Sequence, residues 1–252
     1  MTIAILSALR EEQDGLLHAM TDTQKTRRAS RTFWRGTLDG HDVVLALSRI
    51  GKVAAAATTA TLLEHFGVRA VLFTGVAGGV GEGVAVGDVV VASGFVQHDM
   101  DASPIFPRFE VPATGKMVFS TDAMWSQRLL QAAQSCGIAH IPHTTHSGLI
   151  ATGDRFIASA DDARSITQAL NAAGLNALAV EMEGAAVAQV CADYGVPMAA
   201  MRTISDRADA TAHGDFSEFV QTTASVYAYR IIRACLQQCN ALESTPAPNC
   251  SN

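Results

Sequence analysis

The sequence predicts an α/β protein, a three-layer α/β/α sandwich around a mixed, largely parallel central sheet. Three observations carry that reading. Apolar runs of strand length alternate with segments of helical period. The runs are continuously apolar, as strands covered on both faces are. Glycines and acidic residues gather just beyond them, where an open parallel sheet presents loops and helix N-termini to a ligand.

Residues 3–8 form a first strand that stops at Arg10-Glu11-Glu12. Residues 32–38 and 43–48 flank Asp39-Gly40, a pair that tolerates positive φ and predicts a tight hairpin. Residues 52–66 read as a helix stopped by Gly67, and 70–74 and 88–96 as strands. The first of these runs into a glycine loop, Gly75-Val76-Ala77-Gly78-Gly79. The alternation then repeats: strand 145–152, helix 161–173, strand 177–182, helix 184–194 and strand 198–204. A long amphipathic helix over 216–238 closes the fold, and the tail, 241–252, has the composition of a disordered segment.

A chain of 252 residues, 48% hydrophobic and 17% charged, suits one large α/β domain, and no internal linker divides it. A net charge of −6 argues against a nucleic-acid partner. The basic cluster Lys25, Arg27, Arg28, Arg31 and Arg35 reads as the solvated face of an edge hairpin. Five cysteines with no Cys-x-x-Cys pair suggest a reducing, cytoplasmic setting. The apolar N-terminal run is too short to span a membrane, so no membrane partner is expected. His140, His143 and His146 recur every three residues, but Pro142 breaks a helical face and no carboxylate completes a set. No metal is expected.

The acidic residues carry the chemistry. Glu181-Met182-Glu183 and Ser205-Asp206 place three carboxylates beside two strand ends, and Glu12 follows the first strand. Each has a plainer role: Glu12 in a helix's first turn, Glu183 and Asp206 as helix caps. Phe156 could be core, Arg202 the partner of a structural carboxylate, and His98-Asp99 a polar strand end or subunit contact.

Five segments in register, however, resemble one family. Gly75-x-Ala77-Gly78-Gly79, Gly153-Asp154-x-Phe156-Ile157, Glu181-Met182-Glu183 and Arg202-x-x-Ser205-Asp206, with the acidic end of the first strand, are similar to motifs of the 5′-methylthioadenosine/S-adenosylhomocysteine nucleosidases. Those enzymes belong to the purine nucleoside and uridine phosphorylase superfamily. The resemblance implies a nucleoside phosphorylase-like fold, a single nucleosidase domain over 1–240, and hydrolysis of an adenine nucleoside to adenine and a thioribose. It implies catalytic roles for Glu12 (water), Asp206 (N7 of adenine) and Glu183 (ribose hydroxyls). Met182 would pack under the ribose, Phe156 stack on adenine and Ile157 read its edge through the backbone. Val76, Ala77 and Gly78 would line the site; Arg202 and Ser205 would position the Asp206 loop, with Glu181 near the water. No cofactor is implied.

Water or phosphate as nucleophile divides the superfamily. Carboxylates at Leu9-Arg10-Glu11-Glu12 and the absence of an arginine from Leu72-Phe73-Thr74 favour water. Arg10, Arg49 and Arg155 keep a phosphorylase as the alternative, and a non-catalytic nucleoside-binding protein of the same fold is a third reading. Val76 stands where a serine is frequent, and residues 102–112 depart from the family pattern. Ile105, Phe106 and Pro112 could form an apolar pocket for a 5′-alkylthio group with Phe216 capping it, whereas Arg108 and Arg155 could favour an acidic one. The apolar loop and the resemblance together imply a homodimer with the site near its interface.

Overall fold

The computed structural model describes residues 1–136 and 143–243. Of the expected disordered tail, 244–252 lie outside them, as do His140, Pro142 and Cys250, whereas 241–243 instead complete the last helix. Strands β1 (Thr2–Ser7), β4 (His41–Leu47), β5 (Val68–Gly79) and β10 (Met198–Asp206) run parallel through the centre. The full order is β10-β6-β8-β9-β5-β1-β4-β3-β2, with β6 at Val89–Gln97, β8 at Thr145–Thr152, β9 at Ala177–Glu181, β3 at Arg31–Leu38 and β2 at Thr21–Arg28. A short β7 (Val118–Ser120) pairs with β6.

Helices cover both faces. On one, α2 (Lys52–Phe66) and α5 (Gly184–Asp193) bury Ala55, Leu62, Val187 and Cys191 against Val71, Phe73 and Ile204. On the other, α1 (Arg10–Ala19), α3 (Ala123–Ser135) and α7 (Ser225–Glu243) bury Leu16, Trp125, Leu129, Tyr227 and Ile231 against Ile5, Leu72 and Met201. α4 (Ala160–Ala172) closes a smaller cluster around Val180 and Ile157. The three-layer α/β sandwich expected from the sequence is what forms.

Several local readings need correction. The glycine segment is not a loop, because β5 continues through Gly79 and hydrogen-bonds with β9 on one side and β10 on the other. Through these pairings β5, β9, β8, β6 and β10 close into a ring, so one half of the sheet is not open. Glycine is required there by close approach: a Cβ on Gly78 would stand 2.9 Å from Asp206 Oδ1. The long C-terminal helix is interrupted. α6 (Ala212–Phe219) passes into a π turn, Val220–Ala224, before α7 begins. The edge strand β2, TDTQKTRR, is exposed along almost all its length and carries no apolar face that would announce it.

Candidate active site

The sheet's carboxyl edge surrounds a cavity of about 300 Å³. Its walls join the β1–α1 junction (Ala8, Leu9, Glu12), the glycine end of β5 (Val76, Ala77, Gly78) and the β9–α5 turn (Glu181, Met182, Glu183). The end of β10 (Ser205, Asp206) and the facing aromatics Phe156 and Phe216 complete it. The two rings meet edge to face, 5.5 Å between centroids, and Phe156 is 40% exposed, a rim residue and not core. Ile157 is buried beneath and reaches only a narrow side recess that also holds Arg155, itself paired with Asp162 at 2.7 Å.

Glu12 is almost fully buried. Its Oε2 accepts the N–H groups of Ala8 and Leu9, each at 2.9 Å, and Oε1 accepts that of Val76 at 3.1 Å. The first-turn role and the site role therefore coexist: the carboxylate satisfies the helix start while one oxygen faces the β5 wall. Burial raises its pKa, against the lowering effect of the Leu9 N–H and the charge of Arg202.

Glu181 and Glu183 divide the labour at the start of α5. Capping falls to Glu181, which accepts the N–H of Glu183 at 3.2 Å and that of Gly184 at 2.8 Å. It also binds the Thr152 hydroxyl and the Arg202 guanidinium, the latter at 2.8 Å. Arg202 is 1% exposed and stacks 3.9 Å from the Phe73 ring centroid. Arg202 is thus a structural partner of Glu181, and its other hydrogen bonds go to the Phe73 and Met201 carbonyls. Glu183 stands in the N-cap position without capping, and its Oε1 instead accepts the Gly51 N–H at 2.8 Å. Burial and the neighbouring Glu181 charge push its pKa up to about 8.

Asp206 ends β10 and caps no helix. Its Oδ1 accepts the Ala208 N–H at 2.8 Å, and Ser205 Oγ donates to its Oδ2 at 2.8 Å. Burial raises its pKa, opposed by the Ala208 and Ser205 hydrogen bonds. A carboxyl group so placed holds a proton more readily than an exposed aspartate, as a general acid must.

Ile105 and Pro112 do not reach this cavity. Ile105 is 82% exposed, on the segment between β6 and β7. Sequence reasoning had no place for Ile50 and Gly51, which supply an apolar wall and the N–H anchor of Glu183. Their signal was available: an apolar residue and a glycine between a strand end and a helix start. His98 is buried with its ring against Gly153, and Asp99 binds the Lys52 ammonium and the Asp154 N–H. His146 pairs with Asp88 at 2.8 Å, and His143 bonds to the Ala133 carbonyl at 3.1 Å.

Known proteins resemble this chain in sequence and in fold. The profile of the phosphorylase superfamily matches residues 2–237. A 5′-methylthioadenosine/S-adenosylhomocysteine nucleosidase from Anoxybacillus flavithermus is 39% identical over 229 residues, covering 89% of this chain and 93% of the relative. An aminodeoxyfutalosine nucleosidase from Campylobacter jejuni is 36% identical over 236 residues, covering 93% and 98%. The crystal structure of the methylthioadenosine/adenosylhomocysteine nucleosidase from Neisseria meningitidis, in complex with methylthio-immucillin-A, superposes with a TM-score of 0.86 at 33% identity, covering 94% and 99%. Matched along almost its whole length in sequence and fold, this chain belongs to the phosphorylase superfamily and, within it, to the nucleosidases.

Proposed function

We propose that the protein hydrolyses the N-glycosidic bond of a 5′-thio-substituted adenine nucleoside, 5′-methylthioadenosine or S-adenosylhomocysteine, releasing adenine and the thioribose. One observation carries the reading. Glu12, Glu183 and Asp206 converge on a single cavity whose wall, among the described residues, contains no lysine or arginine. Phosphorolysis would bring a dianion against buried carboxylates with no cation to meet it. Hydrolysis brings a neutral water instead, whose proton a carboxylate can take while positive charge builds on the anomeric carbon.

The steps follow from the placement. Asp206 donates its proton to N7 of adenine, so the base leaves neutral. Glu183 accepts hydrogen bonds from the ribose hydroxyls over Met182, and Glu12 orients the water and takes its proton. Phe156 stacks on the base, with Phe216 across from it at the rim. A second copy of the chain closes the 5′ end: Ile105 and Pro112, remote from their own cavity, cover the partner's. A buried Arg202–Glu181 pair beneath the floor keeps the β9–α5 turn in register.

Adenine release from methylthioadenosine in phosphate-free buffer tests the reading. Free thioribose is expected. Dependence on phosphate with a sugar 1-phosphate product would make the chain a phosphorylase, and tight nucleoside binding without turnover would make it a binding protein.

A further inference from the structure

The acids of two motifs, His98-Asp99 and Gly153-Asp154, meet beyond the ends of β6 and β8 at the first turn of α2. Asp99 takes the Lys52 ammonium on Oδ1 and the Asp154 N–H on Oδ2, the latter at 3.0 Å. Asp154 turns its own Oδ1 to the backbone N–H of Lys52 at 2.8 Å, and its Oδ2 lies 3.9 Å from the Lys52 ammonium. One lysine is thereby gripped by side chain and by backbone, between two carboxylates 55 positions apart.

The segment that bears Asp154 is itself anchored. The His98 N–H donates to the Thr152 carbonyl at 2.9 Å, and the Gly153 N–H to the Glu181 carbonyl at 3.0 Å. A Cβ on Gly153 would stand 2.2 Å from His98 Nε2, so the two strand ends are pressed together as closely as a bare backbone allows.

What this clamp holds is the turn between β4 and α2. Helix α2 starts at Gly51 with no side-chain cap and no acid of its own in the first turn, so its first N–H groups need acceptors from elsewhere. Two distant carboxylates supply them: Glu183 accepts the Gly51 N–H and Asp154 the Lys52 N–H, each at 2.8 Å. Only the φ and ψ of Gly51 separate these two donors, and a glycine at φ +93° has the most backbone freedom to restrain. Held at Lys52, the turn keeps the Gly51 N–H on Glu183; released, it can rotate away. Ile50, the residue before, lines the nucleoside cavity, and Phe156, two residues beyond Asp154, stands on its rim.

We propose that Asp154, braced by Lys52 and Asp99, is a positioning residue that aims the Glu183 carboxylate at the ribose through the Gly51–Lys52 turn. The inference rests on the adenine nucleoside reading and adds to it three residues outside the cavity wall.

The test assays the full chain on 5′-methylthioadenosine and on its 2′,3′-dideoxy analogue, which offers Glu183 no hydroxyl. Asp154→Ala is expected to lower kcat/KM for the first by about fivefold or more relative to the second. Asp154→Asn keeps an oxygen for the Lys52 N–H and should recover most of that loss. Lys52→Met and Asp99→Ala should shift the ratio of the two nucleosides the same way. Either one added to Asp154→Ala should change it little further, because all three act through one contact. The Asp99 and Asp154 side chains are 34% and 48% exposed, so their replacement leaves the core untouched. Equal losses on both nucleosides would make the cluster a general brace of the fold and overturn the proposal. So would a parent-like ratio in Asp154→Ala. A parent that hydrolyses neither nucleoside would refute the proposed reaction, and the same ratio taken on Kd would still decide the clamp.

Discussion

Glu183 and Glu181 are two residues apart and both buried, yet only Glu181 has a cation against it. The consequence for Glu183 is a proton held up to about pH 8, and this gives a stability prediction whose sign is fixed. Because the folded state binds that proton more tightly than the unfolded chain, the contribution is fully present below about pH 4.5. It is lost as pH rises through about 8. Glu183→Gln should therefore raise Tm relative to the parent, by a margin that grows from pH 5 to 8 and then levels, in thermal melts across that range. Asp206 makes the complementary catalytic prediction. Asp206→Asn keeps the Ala208 contact but removes the transferable proton, so kcat should fall on the order of 100-fold or more with unchanged circular dichroism. Parent-like rates would remove Asp206 from the acid role.

Elements decide where those residues stand, and α5 shows how tightly. Gly184 opens the helix beside Glu183, and a Cβ there would lie 2.1 Å from Phe95 Cε1 on β6. Gly184→Ala should cost roughly 1–3 kcal/mol in urea unfolding, since the ring sits in a closed ring of strands and has nowhere to move. Such a constraint is invisible in sequence, where Gly184 reads only as a helix start. The strongly periodic or continuously apolar elements were legible: β1, the β3–β4 hairpin, α2, β8, α5 and β10 fall close to their sequence readings. What was illegible lacked a local signature. β2 is polar because it is a solvated edge, and α3 is marked mainly by its Asp122 cap on the Trp125 N–H. Of the site, the carboxylates could be found because their spacing follows strand ends. Gly51 carried a local signal, a glycine between a strand end and a helix start, but its partner did not, because Gly51 donates to Glu183 across 132 positions of chain.

At the scale of the whole molecule, the proposed second copy would set the exposed segment that carries Ile105 against its partner's cavity. If a partner supplies that wall, Ile105→Asp should shift sedimentation towards monomer at micromolar concentration. It should also raise KM for a 5′-alkylthio substrate while leaving Tm of the dissociated chain nearly unchanged. A fully active monomer would dispose of the shared wall. Net charge also acts at this scale: the chain is acidic as a whole, yet its cations on the β2–β3 hairpin stand beside an acidic site.

The π turn between α6 and α7 governs the angular phase of everything before it. Each residue advances an α-helix by about 100°, and a π turn absorbs one residue beyond the α repeat. Phe216 meets Phe156 because of that surplus, while Tyr227 and Ile231 keep α7 seated in the core. Loss of a single residue between Val220 and Ala224 would swing the aromatic rim around the helix axis with every carboxylate left in place. The length of five residues outside the cavity wall thereby sets the aperture of the site.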